Sequence, residues 1–182
     1  MIKNEYKIFD DYFVLYITRR NGDLFETCFD IDDFDFIYNL NSKIFVYYCK
    51  NNKSYYARIT KYLGMDENGV STNKGLLLHR LIMGVGDSRV TVDHKDFNTL
   101  NNRKYNLRVT SYPKNSKNRK SRNKNNKTGY RNVCRSGNWL YVQWQVDGKS
   151  KSKRFSLDQL EEAGKYAEEM RKKHYGEFAG SN

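Results

Sequence analysis

The sequence predicts an α+β protein with a β-rich N-terminal region and a small C-terminal sheet covered by one helix. Three observations lead to this prediction. Alternating segments rich in aromatic and β-branched residues fill much of the first 77 positions. Near the C-terminus an Asp-Gly pair joins two further strand-like segments. A capping box and a helical repeat of apolar residues follow directly.

The first region, residues 1–77, is expected to form an antiparallel β platform. The segments "YFVLYI" and "LFETCFDI" flank "RNGD", which is typical of a hairpin turn. "KIFVYYC", "SYYARIT" and "GLLLHRLIM" predict further strands, the last turning helical at 79–83. Residues 1–65 carry 9 basic and 9 acidic side chains, so the aromatic residues here are interpreted as core rather than as platforms for base stacking.

The net charge of +12 points to a polyanionic partner, and double-stranded DNA is the partner expected. An anionic membrane surface is the alternative. Residues 66–128 carry 14 basic and 5 acidic side chains, so the excess lies in the middle of the chain. The chain has no apolar run of about 18 residues and no signal-peptide pattern in "MIKNEYKIFD", so a cytoplasmic protein is expected. The three cysteines are widely spaced without Cys-x-x-Cys, which predicts reduced thiols rather than disulfides or a zinc finger.

The segment "KNSKNRKSRNKNNK", residues 114–127, contains seven basic residues, no acid and no apolar side chain. Such a composition cannot form a core, so residues 119–128 are predicted to be a basic linker. We interpret it as a tether that also lies along a phosphate backbone, with a merely solvated tether as the alternative.

The last region, residues 129–182, predicts a three-stranded sheet with one face covered by a helix. In "NWLYVQWQV" the two faces alternate, and Asp147-Gly148 forms a hairpin turn into "KSKRFS". Ser156 and Gln159 form a capping box, and Gly176 can cap the end of the helix. The covered face of the middle strand is predicted to hold Leu140, Val142, Trp144 and Val146, and the open face Trp139, Tyr141, Gln143 and Gln145. The apolar stripe of the helix is predicted at Leu160, Ala163, Ala167, Met170 and His174.

The segment "VDHKDFNTLNNRKYNLR" carries the residues most suited to chemistry. Histidine is the side chain that can take a proton near pH 7, and a carboxylate with a neutral oxygen donor can hold a hard divalent cation. Adjacent residues on a strand point to opposite sides, so Asp93 and His94 can serve a cation and a water separately where the strand ends. Hydrolysis of a phosphodiester needs both functions.

With the flanking "LHRLIMG" and "VTSYPKNSKN", this segment resembles the His-Asn-His nuclease family, in particular its homing-endonuclease branch with a ββα-metal core. The resemblance covers residues 78–118. It implies that His94 is the general base and that Asp93 binds the metal. It also implies that Asn106 fixes the loop that orients the histidine. Asn115 stands where the family usually has a second histidine, and its amide oxygen is expected to complete the site for one Mg²⁺ or Mn²⁺ ion.

Basic residues around this core are expected to contact the DNA backbone. His79 is interpreted either as a packing residue or as a phosphate contact. The remaining candidates in and after the core are Arg80, Arg103, Lys104, Arg108, Lys117, Arg119, Lys120 and Arg122.

Residues 128–179 resemble the small DNA-binding domain of plant ethylene-response factors, which also follows His-Asn-His nuclease modules in phages and bacteria. "GYRNV", the strand ending in "VDGK" and the helix ending in "YGEFA" carry the likeness. It implies a sheet that reads the major groove, although "NWLYVQW" lacks the arginines typical of that strand. The candidate contacts are Arg131, Arg135, Tyr141, Gln143 and Arg154.

The expected function is a metal-dependent DNA endonuclease, of the homing type found in phages or mobile elements. A restriction-type enzyme would use the same chemistry. A non-catalytic DNA-binding regulator with a relict nuclease core is the alternative from another class. The protein is expected to act as a monomer on DNA, with a dimer left open.

Overall fold

The protein is a mixed α+β molecule with several small antiparallel sheets and few helices. A computed structural model of the chain describes residues 2–115, 117, 118 and 123–180, apart from the side chains of residues 113 and 114. The chain divides into two compact units, Met1–Thr110 and Ser111–Asn182. The N-terminal platform and the segment that carries Asp93 and His94 therefore lie in the same unit.

The first unit begins with two three-stranded sheets and two short helices of five residues each. The elements are β1 (Tyr6–Ile8), β2 (Tyr12–Thr18), β3 (Leu24–Asp30), α1 (Phe34–Tyr38), β4 (Phe45–Cys49), β5 (Ser54–Met65), β6 (Ser71–Leu77) and α2 (Leu78–Ile82). The sheets have the strand orders β1-β2-β3 and β4-β5-β6.

One hydrophobic core joins the two sheets, because the alternation of each strand directs its apolar face to the same interior. Phe13 and Phe29 are directly opposite on β2 and β3, and their rings stack with centroids 5.3 Å apart. Ala57 and Ile59 of β5 bring the second sheet to this core. Leu78 of α2 is also fully buried there.

The predicted hairpin at "RNGD" is confirmed, since Arg19 N–H donates to the Asp23 carbonyl and Gly22 adopts φ 89°. The predicted change from strand to helix near His79 is confirmed too. Strand β5 is longer than predicted. Its distal half pairs only with β6 beyond Arg58, which leaves Tyr62 and Met65 exposed rather than in the core.

The remaining strands of the first unit are β7 (Val90–His94) and β8 (Leu107–Ser111), which pair as a two-stranded sheet. A one-turn helix, α3 (Tyr112–Asn115), follows β8 at the start of the second unit. The order strand, strand, helix is the expected one. That order alone does not make a ββα-metal nuclease core, and such a core stays a prediction.

The second unit contains the three-stranded sheet and long helix that the sequence predicts. The strands are β9 (Val133–Ser136), β10 (Trp139–Val146) and β11 (Lys149–Ser156), with β10 in the centre, and the helix is α4 (Leu160–Tyr175). The turn at Asp147-Gly148 is confirmed, with φ 50° and 76° at its two residues. The core of the unit consists of Val133, Leu140, Val142, Phe155, Ala163 and Ala167.

Both ends of α4 agree with the sequence prediction. Ser156 and Gln159 form the capping box, and Gly176 follows the last turn. The predicted apolar stripe is wrong at its C-terminal end, where His174 is exposed. Arg171 is buried in its place and donates to the Arg131 carbonyl at 2.9 Å. This carbonyl satisfies one donor of the buried guanidinium, whereas Nε of Arg171 has no hydrogen-bond partner among the described residues.

Candidate active site

Asn106 holds together the loop that connects β7 and β8. Its side-chain oxygen accepts from the Asp96 backbone N–H at 2.9 Å, and its amide group donates to the Asp96 carboxylate at 2.8 Å and the Asn101 carbonyl at 2.9 Å. The side chain is 1% exposed. A buried amide with all these partners is costly to replace. The arrangement agrees with a role in fixing the loop.

The same loop is attached to strand β3 of the N-terminal sheet. Cys28 N–H donates to the Leu100 carbonyl at 3.1 Å, and Asn102 N–H donates to the Cys28 carbonyl at 2.9 Å. The Thr27 hydroxyl donates to the Leu100 carbonyl at 2.8 Å. The loop therefore pairs with β3 much as an additional strand would. This places the N-terminal platform among the elements that shape the site.

His94 is the last residue of β7, and its ring is buried against Asn102. Its Nε2 lies 3.4 Å from the Asn102 side-chain oxygen. Asn102 donates through its amide nitrogen to the Thr27 hydroxyl oxygen at 2.8 Å. Because the Thr27 hydroxyl gives its own proton to Leu100, that oxygen must accept from Asn102. The oxygen of Asn102 then faces His94, so the proton of the neutral ring is assigned to Nε2 and the lone pair to Nδ1.

Burial lowers the pKa of His94 below its ordinary value, because the charged imidazolium loses hydration. The hydrogen bond with Asn102 and the charges of Asp93 and Asp96 oppose this shift. The net result favours the neutral ring at pH 7. A neutral imidazole with a free lone pair on Nδ1 can accept a proton.

Asp93 forms an ion pair with Arg108. The Nη2 and Nε atoms of Arg108 both donate to one oxygen, Oδ2, at 2.7 and 2.9 Å. The Asp93 and Arg108 side chains are only 13% and 9% exposed. Arg108 is a predicted phosphate contact, and the structure places it in a buried pair with the predicted metal ligand instead of in solvent.

The two neighbouring cations of the loop are paired with acids of the N-terminal region. Arg103 contacts Asp30 at 2.7 Å and Asp11 at 2.5 Å, and these hydrogen bonds raise its pKa. Lys104 Nζ lies 2.6 Å from Asp33, which raises the lysine pKa in the same way. Part of the positive charge counted in the middle of the sequence is thus balanced within the folded unit.

Arg80 and His79, the predicted contacts on α2, face the protein. Arg80 donates to the backbone carbonyls of Val90 and Asp87, both at 2.7 Å, and so ties α2 to the start of β7. His79 is 4% exposed, which is in line with the packing alternative.

Asn115 ends α3 in the second unit, where it is half-buried. Its sharing of a cation with Asp93 stays a prediction. Lys117 places Nζ 4.7 Å from the centre of the Tyr175 ring, and its backbone carbonyl accepts from Arg131. The predicted contacts Arg119, Lys120 and Arg122 lie outside the described residues.

The predicted contacts in the C-terminal sheet fall on different sides of it. Tyr141 is opposite Arg154, and Gln143 lies two residues further along the same face. Arg154 stacks on Trp139, with the guanidinium 4.2 Å from the ring centre. Arg135 is opposite Leu140 and so belongs to the helix-covered side.

Arg131 has a structural position. It is 7% exposed and donates to the carbonyls of Ala179 and Lys117 at 3.1 and 2.5 Å. It thereby connects the chain on either side of the C-terminal sheet and helix. Three of the five predicted contacts in this region share the open face, namely Tyr141, Gln143 and Arg154.

Asn102 and Thr27 orient His94, and the sequence alone does not point to either of them. Asn102 lies inside the segment "VDHKDFNTLNNRKYNLR" that carries the family resemblance, and this position is the only local signal for it. Thr27 is 75 positions away from Asn102, so no local pattern could have linked them.

Among the residues that the structure describes, no group of three or more histidine, cysteine, aspartate or glutamate side chains is arranged to hold a metal ion. The predicted ligands, one carboxylate and one amide, are a smaller set and of the hard-oxygen type that suits Mg²⁺. The described part of the chain contains no helix with the length and apolar character needed to cross a membrane.

Comparison with known proteins found no match to this chain among family models, curated proteins or solved structures.

Proposed function

We propose that the protein is a metal-dependent endonuclease that hydrolyses phosphodiester bonds of double-stranded DNA. The observation that carries this proposal is the hydrogen-bond chain from Thr27 through Asn102 to His94. This chain assigns the lone pair of the neutral His94 ring to Nδ1. His94 directly follows Asp93 in the sequence. A fixed base of this kind is what water activation near pH 7 requires.

His94 is the general base of the proposed reaction. Its Nδ1 takes a proton from the attacking water, while Nε2–H keeps its contact with Asn102. The resulting imidazolium is stabilised by the charges of Asp93 and Asp96, which already raise the His94 pKa against the effect of burial. Hydrolysis would leave 5′-phosphate and 3′-hydroxyl ends.

Asp93 and Asn115 are the residues proposed to hold one Mg²⁺ or Mn²⁺ ion. Asp93 is paired with the Arg108 guanidinium and offers carboxylate oxygens, the type of ligand that a hard cation prefers. When bound, the ion would neutralise charge on the phosphate and on the leaving oxygen. Arg108 holds Oδ2 of Asp93 through two donors, so the metal and Arg108 must compete for, or share, this carboxylate.

The C-terminal sheet is proposed to read the DNA through its open face, and the basic segment before it to follow the phosphates. Glutamine and arginine are the side chains suited to adenine and guanine edges, and Gln143 and Arg154 are exposed on that face. On this account the enzyme works in the cytoplasm as a homing endonuclease. A restriction-type enzyme remains the alternative with the same chemistry. Sequencing of the ends cut from a random DNA library distinguishes the two enzyme types, because a homing enzyme recognises a longer DNA site than a restriction enzyme.

The proposal is tested by cleavage of supercoiled plasmid DNA with Mg²⁺ or Mn²⁺. We expect His94→Ala to lose at least about 100-fold in rate, the usual contribution of a general base. DNA binding should stay near the wild-type level. His174→Ala is the matched control, because it removes an exposed histidine far along the sequence on α4. Wild-type cleavage by His94→Ala would refute the assignment.

A second candidate is the non-catalytic DNA-binding regulator. The buried Arg108–Asp93 pair favours it, because two donors already bind the predicted metal ligand. If no divalent cation supports nicking by the wild-type protein while specific DNA binding persists, this candidate replaces the nuclease.

A further inference from the structure

Three aromatic rings form a cluster around the end of β7. His79 and His94 lie nearly perpendicular, at 71°, with ring centroids 5.0 Å apart. Tyr56 of β5 completes the cluster, 5.5 Å from His79 and 6.1 Å from His94. The His79 ring, carried by α2, is therefore a direct neighbour of the proposed base.

Packing alone does not explain a histidine at position 79. The ring is 4% exposed, and its Nδ1 is buried with no hydrogen-bond partner among the described residues. An unpaired nitrogen in the interior destabilises a protein, whereas phenylalanine would fill a similar volume without that cost. An unpaired buried group of this kind commonly has a role in a site.

His79 is a neutral group. Burial is the largest cause that lowers its pKa to about 3, and the neighbouring His94 and Arg80 lower it further. It therefore adds no positive charge beside His94, whose ring gains a proton in the proposed reaction. It still offers a ring nitrogen for hydrogen bonding.

We propose that His79 is a positioning residue for His94, which holds the plane of the His94 ring by edge-to-face packing and whose buried Nδ1 forms a hydrogen bond with the attacking water once DNA binding admits that water to the site. This inference rests on the proposed nuclease function. His79 does not take the reaction's proton. It acts on the orientation of His94 and of the oxygen next to it.

Two variants separate the ring from its nitrogens. His79→Phe keeps an aromatic ring but removes Nδ1, and His79→Ala removes both. We expect His79→Phe to lower kcat for plasmid cleavage about 10- to 100-fold with KM nearly unchanged, the scale seen when a supporting group is lost. Its thermal midpoint should stay the same or rise, because a buried unpaired nitrogen has gone. His79→Ala should lower both kcat and the thermal midpoint.

A matched control is His174→Phe, the same substitution at an exposed histidine. It should leave kcat unchanged. If His79→Phe cleaves DNA with a kcat within about twofold of the wild type, the role of the nitrogen is refuted. A fall in both kcat and the thermal midpoint of His79→Phe would indicate a merely structural residue and would also refute it.

A spectroscopic measurement distinguishes failure of this inference from failure of the nuclease proposal. The ring nitrogens of His94 are followed by ¹⁵N-edited NMR in the full chain without DNA. If the wild type cuts no DNA, the nuclease proposal fails. His79 is then still supported as a positioning residue when His79→Phe shifts the His94 nitrogen signals, and refuted when these signals are unchanged.

Discussion

The two candidate surfaces of this protein are built in opposite ways. Around His94, polar side chains are buried and held by partners far away in the sequence, such as Thr27 for Asn102. On the open face of the C-terminal sheet, Gln143 and Arg154 are exposed. The difference matches the role proposed for each surface. Proton transfer requires a fixed geometry, whereas reading DNA requires side chains that can adapt to base edges and water.

This comparison predicts that breaking the buried polar contacts of the loop around His94 affects stability and cleavage together, and that changes on the open sheet face affect DNA binding alone.

The largest effect is expected for Arg108→Met. It leaves the mostly buried carboxylate of Asp93 without its guanidinium, and breaking such a pair destabilises a protein by about 3–5 kcal/mol. Chemical denaturation in EDTA measures this loss. Arg89→Met is the control, because it breaks an exposed ion pair with Asp87, and exposed pairs contribute little to stability.

Magnesium should restore part of the stability of Arg108→Met if Asp93 is a metal ligand, since a ligand that binds the folded state stabilises it. The increase in thermal midpoint on adding Mg²⁺ should exceed that of the wild type. Equal increases in the two proteins would count against Asp93 as a ligand.

Asn102→Leu should lower the rate of DNA cleavage about 100-fold, because His94 loses the partner that fixes its Nε2–H. The free energy of unfolding should fall by about 1–3 kcal/mol, as the Thr27 hydroxyl is left with one partner fewer. Single-turnover cleavage and denaturation measure the two effects. Asn73→Leu, at an exposed asparagine of β6, should change neither, and loss of cleavage in that control would void the comparison.

Acid should destabilise the protein through His79. Its pKa in the folded state is about 3 against an ordinary value of 6.5, so the unfolded chain binds the proton first as the pH falls. The contribution of the neutral His79 ring to the free energy of unfolding is fully present above about pH 6.5, and it is lost as the pH falls from there to about 3. At pH 5 the expected loss is about 2 kcal/mol.

Denaturation at pH 7 and pH 5 tests this prediction. In His79→Phe the free energy of unfolding should depend less on pH than it does in the wild type. The lowered pKa of His94 adds in the same direction, so a smaller slope remains in that variant. A pH profile identical to that of the wild type would show that His79 does not titrate as expected.

The smallest effect is expected on the sheet. Arg154→Met should weaken binding to the target duplex by roughly tenfold, the low end of the effect of a lost base contact, with the thermal midpoint almost unchanged. Arg135→Met should weaken it less, because Arg135 lies on the helix-covered side. Fluorescence anisotropy at fixed salt measures both. Equal losses of DNA affinity in the two variants would mean that the DNA contacts are not confined to the open face.

The features predicted correctly from the sequence depend on neighbouring residues. The hairpin turns at Gly22 and at Asp147-Gly148, and the capping box of α4, are set by residue types within a few positions. The short strand β1 and helix α1 have too few residues for a periodic pattern, so the sequence does not predict them.

The candidate site was predicted only in part, for a different reason. The sequence pointed to Asp93, His94 and Asn106, which lie in one segment. It did not reveal that Arg103 pairs with Asp30, across 73 positions, or that Arg108 turns inward to Asp93. A count of charges along the sequence cannot reveal such tertiary pairs, so the sequence alone predicts that the cations of the loop are free to bind phosphate.

The pairing of the β7–β8 loop with β3 has a consequence for protein engineering. A chimera joined at position 77, the boundary that sequence patterns favour, would import the loop without Thr27 and Cys28, on which its backbone and Asn102 depend. Recombination with other sequences should respect Met1–Thr110 as one inseparable block. Exchange of the proposed DNA specificity is better attempted by replacing residues 129–182, which leaves Asn115, the second proposed metal ligand, in place.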